Sequence, residues 1–371
     1  MKQLFIKTIV LILLATTANA QERVIDATDK SPVSAASILD AAGNMVGFTL
    51  SDGNFTEIPK TAYPVTVRCL GYEQIVIERP EKKTWELTPA IYELDEIVII
   101  PVERDVLKQT FYIREHFSMS TPNDTVTYFM EHMANRFVAA SEDVKYKGNT
   151  SILITGSRSF SRYKVSEKDS VFAANNSKFH SMINLLKLSE EPIMAPESFK
   201  EQKGPNKLYE KQDKSGMYLV QRENGNTFTN TKDHLAKEKE HSISPWALKL
   251  LGLTMNIEQL YSTQIFRAND DGIYLPSDII EAGFVMEAEG RGKYLRKMME
   301  SDKPVIIRST IELYIVDRDY LTKEDAKKEY KECKKKKHGE VEFVIPYTVP
   351  PLDKATQRLV ERATAETKEI F

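Results

Sequence analysis

The chain has little of what usually announces a function. Only two of its 371 residues are cysteine, Cys69 and Cys333, too few for a disulfide framework. Cys69 alternates in phase with Val65 and Val67, as a buried strand residue would, whereas Cys333 lies in a lysine-rich stretch, so the pair reads as two separate thiols. Positive charge is not in excess either. Fifty-one Lys and Arg stand against 54 Asp and Glu, a net charge of -3, which offers no broad basic surface to nucleic acid. The one basic run, Lys327-Lys328 through Lys334 to Lys337, sits at the end of a charged helical stretch opened by Thr322 and Asp325, where cations complement the helix dipole. After the first twenty residues no apolar run approaches the roughly 20 residues that a spanning helix needs, so the mature chain is expected to have no transmembrane helix.

Catalytic signatures are missing as well. Six histidines occur, yet no His-Glu-x-x-His pair exists; Glu115-His116 and Glu131-His132 each lack the second ligand. These histidines are expected at the surface or half-buried. His234 and His241 share a face only if the stretch between them is helical. Ser161-Arg162-Tyr163-Lys164 has the Ser-x-x-Lys spacing of a serine nucleophile with a lysine base, but residues i and i+3 of a strand face opposite ways. Gly290-Arg291-Gly292-Lys293 reads as a turn, and the acidic turn at Asn269-Asp270-Asp271-Gly272 lacks the spacing of a calcium loop. No catalytic, cofactor-binding or metal-ligating residue is therefore expected, and no cofactor.

What the sequence does contain begins at Met1. Lys2 and Lys7, the apolar run from Thr8 to Ala15, and Ala18-Asn19-Ala20 have the order of a secretory signal peptide, with cleavage expected before Gln21. The expected localisation is exported, in the periplasm or at the periphery of the outer membrane. Without Lys2 and Lys7 the formal charge moves from -3 to about -5, mildly acidic.

From Val24 to Ile100 short β-rich runs alternate with turn chemistry. Gly43-Asn44 separates residues 32–39 from residues 46–50 as a hairpin signal. Asp52-Gly53 supplies the positive φ of a tight turn. Residues 63–70 then alternate Val65, Val67 and Cys69 against Thr66 and Arg68, the period of a half-buried strand. Short strands at this spacing predict an all-β sandwich.

The order Asp26, Pro32-Val33, Ala36-x-Ile38, then Gly47-x-Thr49-x-Ser51-Asp52-Gly53-x-Phe55, then Leu70-Gly71-Tyr72 resembles the carboxypeptidase-like regulatory domain common in Bacteroidetes envelope proteins. Leu94-Asp95-Glu96-Ile97-Val98-Ile99 is similar to the strand that closes this unit in TonB-dependent outer-membrane receptors. The resemblance covers about 75 residues, and the usual opening glycine is absent. It implies a transthyretin-like or prealbumin-like sandwich that accompanies another envelope module and carries no catalytic residues of its own. No zinc-carboxypeptidase domain follows.

After Pro101 the pattern becomes mixed. Thr121-Pro122-Asn123-Asp124 is positioned to cap a helix with Val126, Phe129, Met130, Met133 and Phe137 on one face. A second helix is expected from Ser244-Pro245-Trp246 toward Leu260. Strands are expected near residues 151–155, 160–165, 217–221, 263–267, 273–275, 279–288, 305–316 and 341–345, with a closing charged helix over 353–370. The organisation expected is a signal peptide at 1–20, a carboxypeptidase-like regulatory β-sandwich at 21–101 and an α+β domain at 102–371. The function expected is a non-catalytic accessory, binding or structural role in the envelope, with another envelope protein, a glycan or a lipid as partner. Two alternatives stay open: a hydrolase whose site assembles within residues 105–371, and a small outer-membrane β-barrel.

Overall fold

The computed structural model describes residues 22–80, 83–90, 104–175, 183, 188–194, 211–212, 218–224, 227–234, 253–267, 272–335, 342–346 and 349–368. The expected signal peptide, the strand expected near 94–99, the expected acidic turn at 269–271 and the helix start expected at Ser244 lie outside these residues.

The N-terminal unit is all-β, with strands β1 (Arg23–Asp26), β2 (Ser37–Leu39), β3 (Met45–Phe48), β4 (Val65–Arg68), β5 (Ile75–Ile77) and β6 (Thr84–Leu87). A parallel pair β1-β6 and a four-stranded sheet β3-β2-β4-β5 share a core containing Val24, Ile38, Phe55, Val67, Trp85 and Leu87. The motif residues have structural roles. Tyr72 Oη donates to Asp26 Oδ2 at 3.0 Å, joining the two ends of the motif. Thr49 Oγ1 donates to the Val33 carbonyl at 2.7 Å and accepts the Ala36 N–H at 2.9 Å. Gly53 sits at φ +76°, where a Cβ would also lie 2.5 Å from the Val24 carbonyl oxygen; only glycine accepts both conditions.

The rest of the chain is dominated by one sheet. Its strands are β7 (Val106–Ser120), β8 (Thr125–Ala139), β9 (Leu153–Val165), β10 (Lys168–Asn175), β12 (Lys211–Gln212), β13 (Tyr218–Asn224), β14 (Thr227–Asp233), β15 (Leu253–Arg267), β17 (Ile279–Gly292) and β18 (Val305–Leu321). The order β10-β9-β8-β7-β18-β17-β15-β14-β13-β12 is antiparallel throughout. A separate short pair joins β11 (Ile193–Met194) to β16 (Ile273–Tyr274). The α-helices among the described residues come late in the chain: α1 (Lys293–Met299), α2 (Lys323–Lys335) and α3 (Lys354–Lys368).

Several expectations need correction. The helix expected over residues 121–137 is β8, and the helix expected to run to Leu260 enters strand β15. Residues 342–346 form no strand. Gly290 and Gly292 end β17, and Lys293 opens α1 rather than a hairpin.

The sheet curls. Ser189 donates its N–H to Gln264 Oε1 of β15 at 3.0 Å and accepts from Arg136 Nη2 of β8 at 2.5 Å. Those strands are four places apart in the order, about 19 Å in a flat sheet, while side chains stand nearly perpendicular to it. One residue reaches both because the sheet bends round it. Register shifts that leave an extra residue in β9, β15, β17 and β18 supply the bulges that bend strands locally.

Candidate functional site

Curling gives the sheet an outer face and an inner face, and strand alternation assigns each residue to one of them.

The outer face is charged, and other parts of the chain cover it. Across β9, β8, β7 and β18 the register places Arg158, Glu131, Arg114 and Glu312 in one row. Arg158 Nε donates to Glu131 Oε2 at 2.5 Å, and Tyr112 Oη donates to Glu131 Oε1. Burial beside the Glu131 carboxylate holds the Tyr112 phenol well above its ordinary value. Arg114 Nη1 donates to the Pro350 carbonyl at 2.6 Å, so the row carries the segment before α3. Arg68 of the N-terminal unit reaches Glu312, and its Nη1 lies 3.3 Å from His116 Nε2. Burial, then the Arg68 charge, pulls the His116 imidazole down to about 4. Beside it a cleft of about 270 Å³ opens between residues 41–43, α3 and strands β8–β10. Its arginines are already engaged: Arg162 and Arg362 hold Asp169, whose carboxyl falls to about 2 chiefly through the Arg162 hydrogen bonds. Arg358 donates to the Ala41 carbonyl at 3.2 Å. The cleft is a packing joint between three elements.

The inner face is apolar over most of its area. Phe111, Ile113, Met130, Phe266, Phe284 and Leu313 belong to one core cluster there, to which α1 adds Leu295 and Met299. Polar groups are set among these residues. His132 Nδ1 lies 2.8 Å from Ser157 Oγ, and its Nε2 lies 3.6 Å from Glu115 Oε2; all three residues are buried. Gln109, Arg136, Asn230 and Ser309 are buried on the same face. Among the described residues, Gln109 Oε1, His132 Nε2, Arg136 Nη1, Ser309 Oγ and both amide atoms of Asn230 have no hydrogen-bond partner. A core completed by its own side chains pairs such atoms, because each one left unpaired costs about 1–3 kcal/mol.

The residues singled out from sequence are dispersed. Ser161 Oγ lies 3.5 Å from the Phe172 carbonyl, and Lys164 is on the opposite face of β9. His116 and His132 are buried at 4% and 1% exposure, correcting their expected place near the surface; they sit on opposite faces of the sheet. His234 follows β14, its Nε2 2.7 Å from Ser262 Oγ, and His241 lies outside the described residues. Cys69 and Cys333 are free thiols. No group of His, Cys, Asp or Glu among the described residues has the geometry to hold a metal ion. Sequence reasoning missed Arg136, Gln109 and Asn230. For Arg136 the available signal was a charge in phase with Val126 and Met130, legible only once β8 is read as a strand.

No family model matches the chain, and no curated protein does. Among solved structures it is similar to one on lipid–protein interactions in lipovitellin, at 11% identity, TM-score 0.30, over 59% of this chain and 26% of that one. It is also similar to a protein assigned as AttH from Nitrosomonas europaea, at 8% identity, TM-score 0.15, over 56% of this chain and 51% of that one. The chain thus spans about a quarter and about half of those two proteins' lengths. Similarity at this level carries no argument about fold or function.

Proposed function

We propose that the chain is an exported accessory protein of the bacterial envelope that holds an apolar or amphiphilic ligand within its curled sheet, while the N-terminal unit, a sandwich of the carboxypeptidase-like regulatory kind, docks on the outer face. One observation carries the reading: the inner face is apolar yet holds buried polar atoms that have no hydrogen-bond partner among the described residues, including a guanidinium N–H. Lipid-like molecules are favoured over glycans because the lining is dominated by aliphatic and aromatic side chains, and few convergent polar groups on an apolar wall are the usual composition of small-ligand sites. The distribution of polarity is the reverse of a membrane barrel, which turns its apolar band outward; here the outer row of Arg158, Glu131, Arg114 and Glu312 is covered by protein.

The reading is tested with purified mature chain and a fluorescent long-chain acyl probe. Saturable uptake of about one probe per chain is expected; no uptake ends the proposal. Envelope fractionation with N-terminal sequencing is expected to find the chain outside the cytoplasm and beginning at Gln21, and a cytoplasmic chain that keeps Met1 removes the export half.

A hydrolase is favoured by one observation, the approach of Ser157, His132 and Glu115. Activating a serine in this way also requires donors for the developing oxyanion, and Ser157 sits within the β8-β9 ladder rather than on a strained elbow. Labelling by a fluorophosphonate that is lost in Ser157→Ala would establish this reading over binding alone; an unlabelled protein removes it.

A further inference from the structure

Arg136 stands on the inner face of β8, 1% exposed. Its Nε donates to the Thr150 carbonyl at 3.0 Å and its Nη2 to the Ser189 carbonyl at 2.5 Å, while Nη1 meets no acceptor. Both acceptors are neutral. No carboxylate among the described residues forms an ion pair with this guanidinium; Glu190, whose field reaches it, is exposed and accepts from Thr150 Oγ1 at 3.1 Å. Burial accordingly pulls Arg136 down to about 10. A buried charge without a counter-charge costs several kcal/mol, and among the described residues only these two neutral carbonyls offset it.

The register shows what stands beside it. Gln109 of β7 is directly opposite Arg136, and Arg318 of β18 is directly opposite Gln109. Gln109 Nε2 donates to the Pro276 carbonyl at 3.1 Å, and Arg318 Nη2 donates to the Ile279 carbonyl at 3.0 Å. Three adjacent strands therefore present guanidinium, amide and guanidinium in one row. The neighbouring inner-face residues along the same strands, Ala134, Phe111 and Ile315, are apolar.

We infer that this row receives the carboxylate of an amphiphilic acid, bound through Arg136, with the hydrocarbon part running along the apolar inner face. The inference rests on the ligand-holding reading of the sheet and names the class of ligand. A carboxylate fits better than a phosphate monoester. It brings about one charge and two acceptor oxygens, whereas a dianion with three strong acceptors demands more N–H groups than Arg136 has spare.

The test compares cis-parinaric acid with its methyl ester on the full mature chain by fluorescence titration. The wild type is expected to bind the acid at least about tenfold more tightly than the ester, a difference equivalent to about 1.4 kcal/mol. Arg136→Met is expected to keep the ester's affinity and lower the acid's to match it, since methionine keeps an apolar side chain of similar length while removing the charge, at the cost of the donors to the Thr150 and Ser189 carbonyls. Equal affinity for acid and ester in the wild type overturns the carboxylate site while leaving the ligand-holding sheet intact, and this comparison needs no variant. An undiminished preference in Arg136→Met likewise overturns it. If neither molecule binds, the sheet's role as a ligand holder fails, and this site with it.

Discussion

Arg68 and Glu312 meet as a buried ion pair although 244 residues separate them in the chain. Arg68 ends β4 of the N-terminal unit, and Glu312 stands at mid-strand in β18, where Tyr314 Oη also donates to it at 3.2 Å. Burial pulls the Arg68 guanidinium down, but Glu312, Tyr314 and Asp353 together outweigh it, so Arg68 is held above its ordinary value. Removing one member of such a pair leaves the other charged and buried, which costs about 3–5 kcal/mol. Arg68→Ala is therefore expected to lower the urea midpoint sharply, and the double variant Arg68→Met with Glu312→Leu to regain most of the loss. A single variant costing under about 1 kcal/mol would mean that the pair is solvated and that the N-terminal unit docks by apolar contact alone.

His116 predicts how stability depends on pH. Its folded-state value is about 4 against an ordinary 6.5, so between those values the unfolded chain binds more protons and stability rises with pH. The contribution is complete above about 6.5 and fully lost below about 4, amounting to roughly 2 kcal/mol between pH 7 and pH 5. The groups facing the imidazole are Arg68, Glu312, Asp353 and Arg114, with the Phe129 ring at 4.9 Å. Chemical denaturation of wild type and His116→Gln near the two pH values is expected to show a flatter dependence in the variant. Equal slopes would rule His116 out as the titrating group.

The N-terminal unit was legible because its turn glycines and alternating strands are local signals, and the Asp26–Tyr72 and Thr49–Val33 bonds explain why the motif has those residues. β8 was misread for a physical reason. Val126, Phe129, Met130, Met133 and Phe137 do fall at helical spacing, but Val126 and Met130 belong to the inner-face cluster while Phe129, Met133 and Phe137 pack on the outer side. A strand buried on both faces loses its period of two, and its apolar residues then satisfy a helical template by accident. The charged helix α2 was recovered because its N-terminus carries its own signal, Thr322 Oγ1 accepting the Asp325 N–H at 3.1 Å. Arg136 and the outer row could not be found from sequence, since their meaning depends on which strands lie side by side.

At Gly283 the N-terminal unit lies close against the sheet. A Cβ there would fall 2.3 Å from the Ile311 carbonyl oxygen and 2.6 Å from Leu70 Cδ1. The leucine end can yield, but the backbone of the neighbouring strand cannot yield without disturbing the ladder. Gly283→Ala is expected to cost about 1–3 kcal/mol, as overpacked sites do, and Leu70→Ala in the same chain to recover only part of it. A neutral Gly283→Ala would show that β17 and β18 stand further apart than this.

Asp353 connects the last helix to the buried seam. Its Oδ1 accepts the N–H groups of Ala355 and Thr356 at 3.0 and 2.9 Å, and its Oδ2 accepts from Thr356 Oγ1 at 2.6 Å. Burial pushes this carboxyl up, but the Thr356 hydrogen bonds and the charges of His116 and Arg68 outweigh burial and hold it below its ordinary value. Loss of such a cap costs about 0.5–2 kcal/mol, and α3 packs Ala363 on Phe129, Phe160 and Val171. Asp353→Ala is expected to loosen that helix, seen as faster amide exchange across α3. Asp353→Asn keeps the acceptor oxygen and loses the charge. Because the aspartate's charge raises the His116 value, the asparagine variant is expected to keep α3 protected while driving the imidazole still lower, observable by NMR titration. An unchanged His116 titration in Asp353→Asn would place the carboxylate outside the seam and leave it the role of a cap alone.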